Sequence, residues 1–234
     1  MLEIIKVSHS YGGEKILQDL SLSINTPQIV GLVAPNGTGK TTLLKIISKS
    51  IRIQKGKLKI NEVDSGNRRE YLKQIFFIES GTSLIPDLTV LDHLKYVKKM
   101  WKSKVCIKEV LSRLNMDSYK NKTVKKLSLG MQQHLIIAMY MVSDASVILL
   151  DEPHNGLDLT SVVLIKKIFL ELKNSGKIIL YSSHDLFNME NFCDQVLYMK
   201  DESIYLSANS TENLIEIYNQ LYNVEEGREL NGIN

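Results

Sequence analysis

Ala34-Pro-Asn-Gly-Thr-Gly-Lys-Thr41 follows the apolar run 29–33 and precedes a second apolar run at 43–47. A buried strand, a glycine-rich turn and a helix start, in that order, gather several backbone N–H groups around one anion. The stretch therefore reads as a phosphate cradle. Lys40 is placed to reach the β- and γ-phosphates as a point charge, and the Thr41 hydroxyl is the expected Mg²⁺ ligand. Gly37 and Gly39 let the backbone approach the phosphates closely. Ala34 stands where the usual G-x-x-x-x-G-K-[ST] pattern has its first glycine. If that position needs a positive φ, its Cβ costs about 1–2 kcal/mol and weakens the loop without abolishing it.

The chain has 234 residues, enough for one large domain or a core with an inserted subdomain around a sizeable interior. A net charge of +3 is too small to point to nucleic acid. Lys98, Lys99, Lys102 and Lys104 surround Trp101, and Lys120, Lys122, Lys125 and Lys126 form a second set; both read as solvated helix faces before a partner or membrane-surface patch. Cys106 and Cys193 lie far apart without C-x-x-C spacing, which indicates neither a zinc site nor a disulfide framework and fits a reducing cytoplasm. No stretch approaches the roughly 20 apolar residues of a spanning helix. The first residues lack the architecture of a signal peptide, so a transport role is expected to depend on another chain.

Four nearly continuous apolar runs, at 29–33, 75–78, 147–150 and 178–181, are expected as strands buried on both faces of a parallel sheet. With helices between them the fold class is α/β, and ligands in such sheets sit beyond the carboxyl ends of the strands. Residues 2–7, the alternating Leu20, Leu22 and Ile24, and Leu58 with Ile60 read as a flanking antiparallel sheet. Residues 8–13, Ser-His-Ser-Tyr-Gly-Gly, read as a turn with Tyr11 at its tip. From residue 86 to 126 the spacing is helical, carried by Leu91, Leu94, Val97 and Trp101 and then by Val110, Leu111 and Leu114. This segment is taken as a helical insertion. A last helix is expected to open at Thr211 and Glu212, with a polar tail from 223.

The apolar strand 147–150 ends in two carboxylates. Asp151 is placed to hold Mg²⁺ through water, and Glu152, pointing elsewhere, to polarise an attacking water. Ser128 suits an N-cap, and Gly130 leaves the first-turn amides of the following helix open to an anion. His184 follows the strand 178–181; alone, it reads as structural.

Taken in order, Tyr11, the phosphate loop, Pro86-Asp-Leu-Thr-Val90, Leu127-Ser-Leu-Gly-Met131, Ile148-Leu-Leu-Asp-Glu-Pro153, Asn155-Gly-Leu-Asp158 and Ser182-Ser-His184 resemble the nucleotide-binding subunit of ABC transporters. The resemblance spans residues 2 to about 208. It implies a P-loop NTPase with a RecA-like parallel-sheet core, a flanking antiparallel β subdomain and an inserted α-helical subdomain. The implied division is a core at 1–85 and 127–210, a helical subdomain at 86–126, and a C-terminal helix and tail at 211–234, in one ATPase domain. It further implies that two such domains pair head to tail, with each ATP between one phosphate loop and the other subunit's helix start at residues 127–131.

Carried onto this sequence, the resemblance gives Tyr11 the adenine. Pro35, Asn36, Gly37, Thr38, Gly39, Lys40, Thr41 and Thr42 take the phosphates and Mg²⁺. Ser128 and Gly130 take the γ-phosphate of the opposite subunit's ATP, Asp151 the metal, Glu152 the water, His184 the γ-phosphate and Asp158 the contact between subunits. Besides Ala34 there are two departures. The signature Leu-Ser-Gly-Gly-Gln is here Leu-Ser-Leu-Gly-Met, resembling the peptide-export and antimicrobial-peptide-resistance branch. Either Glu79 or Ser80 replaces the glutamine that contacts Mg²⁺ and the transmembrane partner; a glutamate still reaches a metal, whereas a serine is too short.

The function implied is an ATP-hydrolysing subunit, peripheral on the inner face of the cell membrane, that drives a separate transmembrane permease exporting a peptide, lipid or drug-like molecule. The alternative is a soluble ATPase of the same fold acting on ribosomes, DNA or a metal-cluster scaffold.

Overall fold

The computed structural model describes residues 1–79, 84–153, 158–184, 186–190, 192–208 and 213–222. In chain order the first half comprises β1 (Leu2–Tyr11), β2 (Glu14–Ile24), β3 (Ile29–Val33), α1 (Lys40–Ile47), β4 (Lys55–Ile60), β5 (Val63–Asp64), α2 (Arg68–Lys73) and β6 (Ile75–Ile78). It is followed by α3 (Val90–Trp101), α4 (Ile107–Arg113), α5 (Leu129–Ser143), β7 (Val147–Asp151), α6 (Leu159–Asn174), β8 (Ile178–Ser182), β9 (Gln195–Lys200), β10 (Ser203–Ala208) and α7 (Leu214–Tyr222).

The larger sheet has the order β10-β9-β3-β8-β7-β6; every neighbouring pair is parallel except β9 with β10. All four expected parallel runs are in it, and the reason for their unbroken apolar character is visible in the core. Side chains of a strand alternate between faces. Ile29 and Val33 of β3, Ile148 and Leu150 of β7, and Ile179 and Tyr181 of β8 join a core with α3, α5 and α6. Val30, Leu32, Val147, Leu149, Ile178 and Leu180 join a second core on the other face, with α1 and the smaller sheet. Each central strand is thus covered twice. Strands β9 and β10 add to the four expected runs.

The smaller sheet, order β2-β1-β4-β5, is antiparallel as expected. The turn expected over 8–13 is corrected: β1 continues through Tyr11, and only Gly12 and Gly13, at φ +56° and +92°, make the hairpin bend. Polar residues remain in the strand because Ser8 bonds through its side chain and Ser10 through its backbone to neighbouring segments. The Asp19 amide donates to Ser8 Oγ at 2.9 Å, and the Ser10 amide donates to Gln54 Oε1 at 2.9 Å. Register also depends on Gly56, at φ +98°, where a Cβ would stand 2.4 Å from the Lys6 carbonyl oxygen.

Residues 86–126 carry α3 and α4, as the helical spacing predicts. Thr89 opens α3 with a capping box, accepting from the Asp92 amide while Asp92 accepts from the Thr89 amide. The Trp101 indole at the end of α3 donates to the Ile75 carbonyl at 3.0 Å, tying this helix to the edge strand β6. The last helix begins at Leu214; Thr211 and Glu212 lie outside the described residues. Among the described residues no helix is long and apolar enough to cross a membrane.

Candidate functional site: a phosphate cleft at the carboxyl ends of the strands

The loop after β3 runs directly into α1. Gly39 is the N-cap residue at φ +98°, with no side chain capping the helix, so the first-turn amides of α1 are left to a ligand. Gly37 is also left-handed, at φ +84°. At Gly39 a second constraint operates: a Cβ would meet Ile16 Cγ2 at 2.8 Å, because β2 packs against the loop. The condition for strain at Ala34 is not met. The residue is buried and is not among the residues with positive φ, so its methyl group costs the loop nothing in backbone conformation.

An open cleft of about 340 Å³ is lined by Tyr11, Ile16, Asn36, Gly37, Gly39, Lys40, Thr41, Thr42, Asp151 and Glu152. Sequence reasoning named all of these except Ile16, whose position on the short polar-apolar run of β2 carries no chemical signal. Of the remaining loop residues, Pro35 and Thr38 shape the turn: Thr38 Oγ1 donates to the Pro35 carbonyl at 2.8 Å. Tyr11 is half exposed at the cleft edge and stands edge-on to the buried His9 ring, with centroids 4.7 Å apart.

Lys40 is buried and donates from Nζ to the carbonyls of Ala34 at 2.5 Å and Pro35 at 3.0 Å. Burial lowers its pKa, and the nearby Glu152 and Asp151 carboxylates oppose that shift. Thr41 Oγ1 donates to Asp151 Oδ2 at 2.8 Å, so the hydroxyl and the strand-end carboxylate, 110 residues apart in sequence, share one hydrogen bond. Ser182, at the end of β8, donates to Asp151 Oδ1 at 2.5 Å. Glu152 follows at φ +50°, in the left-handed region, and its side chain pairs with His184 Nδ1 at 3.0 Å. Non-glycine residues at positive φ are uncommon and cluster at functional sites.

A divalent ion fits this donor set. Among the described residues no three His, Cys, Asp or Glu side chains cluster as a self-sufficient metal site. One hydroxyl and one carboxylate facing a phosphate-sized cleft are hard oxygen donors, which suit Mg²⁺, an ion that keeps several waters and takes its other ligands from phosphate.

Other expected site residues stand apart from this cleft. Ser128 is exposed and caps α5, accepting from the Met131 amide at 3.3 Å, while the neighbouring Leu129 is 61% exposed. Gly130 sits in the first turn of α5. Asp158 is the N-cap of α6, and hydrogen bonds from the Ser161 amide hold its carboxyl below the usual carboxylate range. Ser161 Oγ in turn meets His134 Nε2 of α5 at 3.1 Å, which links the starts of α5 and α6. Burial lowers the His134 pKa against the pull of Asp158. Glu79, following β6, pairs with Lys45 of α1 at 2.5 Å. Ser80 and residues 155–157 lie outside the described residues.

Comparison with known proteins agrees with this geometry. The family described as ABC transporter matches residues 17–155. The lantibiotic transport ATP-binding protein SrtF of Streptococcus pyogenes is 31% identical, over 97% of this chain and all of its own length. The chain belongs to the ABC transporter family. The ABC transporter ATP-binding protein NatA of Bacillus subtilis is likewise 31% identical, over 94% of this chain and 89% of its own. The solved structure of an ATP-binding subunit of an ABC transporter superposes with a TM-score of 0.88 at 23% identity, covering 95% of this chain and 99% of that one. As an ABC transporter ATP-binding subunit, the chain is an ATPase on the P-loop NTPase fold.

Proposed function

We propose that this chain works with Mg²⁺, pairs with a second ATP-binding subunit, identical or related, and drives a separate transmembrane permease that exports a peptide, lipid or drug-like molecule. Its place is then the inner face of the cell membrane. The observation that carries the reading is the Thr41–Asp151 hydrogen bond beside Glu152 and His184, in a cleft whose open helix start and buried lysine suit a polyphosphate.

In this reading the amides of α1 and Lys40 bind the phosphates, Thr41 and Asp151 would hold the metal, and Tyr11 takes the base. Mg²⁺, when bound, neutralises phosphate charge. Glu152 orients and deprotonates the attacking water. His184 holds Glu152 in place and faces the γ-phosphate. Such a site acts by positioning and charge stabilisation, which suits phosphoryl transfer. Ser128 and Gly130 serve the opposite subunit's nucleotide, and Asp158 the contact between subunits. Glu79 or Ser80 takes the place of the usual glutamine; of the two, Glu79, paired with Lys45, has the carboxylate that would hold the metal. Transport is what the name of SrtF supports, and the direction, export, is supported by Leu129 and Met131 in the signature.

The test is to trap tagged Glu152→Gln with ATP in its native cells, solubilise the membranes gently and identify what co-purifies. A multi-spanning membrane protein in stoichiometric amount is the expected result. Recovery only from the soluble fraction with ribosomes or another assembly would overturn the transport reading.

A further inference from the structure

Ser182 is the single polar residue of β8; the four before it, Ile178, Ile179, Leu180 and Tyr181, are buried in the two cores. Ser182 is itself fully buried, so it lies out of reach of a nucleotide in the cleft. A buried hydroxyl must be satisfied, and this one is satisfied by the two acids. In the β7–β8 register Ser182 stands opposite Asp151. Its Oγ donates to Asp151 Oδ1 at 2.5 Å and accepts from the Glu152 amide at 3.2 Å, one donation and one acceptance.

With Thr41 on Oδ2, both carboxylate oxygens of Asp151 are held, one from α1 and one from β8. Without the Ser182 hydroxyl, the carboxylate can pivot about the Thr41 contact. The same hydroxyl supports the left-handed bend at Glu152, whose amide is shared between the Ser182 carbonyl and Oγ, each at 3.2 Å. That bend turns the Glu152 side chain out of the strand and towards His184.

We propose that Ser182 is a positioning residue that fixes the Asp151 carboxylate for the metal and seats Glu152 beside it, so that one buried hydroxyl aligns both acids. The inference rests on the assignment of Asp151 to the metal. Partners of metal ligands typically contribute about 10–100-fold to metal affinity, and the effect of Ser182 is expected in that range.

The experiment uses the full chain in a Glu152→Gln background, with Mn²⁺ in place of Mg²⁺. ATP affinity is measured with and without Mn²⁺, and bound Mn²⁺ is followed by electron paramagnetic resonance. Ser182→Ala is expected to keep the parent fold and metal-free ATP affinity, with some loss of thermal stability from the two lost hydrogen bonds, and to weaken Mn²⁺ binding to the ATP complex by about 10–100-fold. Ser182→Thr, which retains the hydroxyl on a strand that accepts β-branching, is expected to restore it. Asp151→Asn separates the two levels of the argument. If Asp151→Asn loses Mn²⁺ while Ser182→Ala binds it as the parent does, the inference fails and the metal assignment stands. If Asp151→Asn itself retains full Mn²⁺ affinity, the metal assignment fails and takes the inference with it.

Discussion

Two helix starts carry the residues proposed here to handle phosphate, and they are finished to different degrees. The start of α1 has no side-chain cap, and Lys40, Thr41 and Asp151 are hydrogen-bonded around it within one cleft. The start of α5 is capped by its own Ser128, which is exposed beside an exposed Leu129. One is enclosed by its own chain, while the other is presented on a surface. In the proposed reading this difference is the division of labour: α1 binds ATP in each chain, and α5 waits for the ATP of another.

Breaking the enclosed half has the largest effects. Glu152→Gln is expected to lower turnover by about 10²–10⁴-fold, the range of general acid–base catalysis, while leaving ATP bound. Steady-state phosphate release together with nucleotide retention measures both. An unchanged rate would remove Glu152 from the water-activating role. Lys40→Ala removes a charge-assisted bond to phosphate worth roughly 1.5–3 kcal/mol, so ATP affinity measured by titration calorimetry is expected to fall by about 10–150-fold. Parent-like affinity in that variant would undo the phosphate-loop assignment.

The presented half responds less. Ser128→Ala removes a helix cap at a cost of about 1 kcal/mol, and monomeric ATP affinity is expected to stay at the parent value. Turnover falls at the same time, by about tenfold for a lost bond to a charged phosphate. A loss of ATP affinity in the isolated chain would mean that α5 serves the same chain's nucleotide, against the division described. Smallest of all is Ala34→Gly. Since Ala34 is not at positive φ, restoring the glycine should leave ATP affinity unchanged and lower stability by about 0.5–1 kcal/mol through added chain entropy, read from a denaturant titration.

Much of the enclosed half is legible in the sequence because it is local. Residues 34–41 are contiguous, and Asp151 and Glu152 end an apolar run that only a doubly covered strand needs. What stayed hidden depends on tertiary pairing. Ser8 and Ser10 look like turn residues until their bonds with the Asp19 amide and Gln54 hold them in β1. Ile16 becomes a cleft residue only through its contact with Gly39, and Ser182 gains a role only through the register of β8 on β7. A pattern of residue types leaves open whether Ala34 is strained, because φ at that position is set by the exit of β3. β9 carries the buried run Val196, Leu197, Tyr198 and Met199, which is as continuous as those of the expected strands. No chemical motif follows it to draw attention there.

The most direct test of the shared-nucleotide account replaces the exposed Leu129, next to Ser128, with a benzophenone amino acid in a tagged Glu152→Gln chain and illuminates native membranes with and without ATP. The account predicts an ATP-dependent cross-link between two chains, mapping by mass spectrometry to the phosphate loop of the second, at residues 34–42 if that chain is identical. A cross-link that forms equally without ATP, or that maps within the same chain, would contradict it.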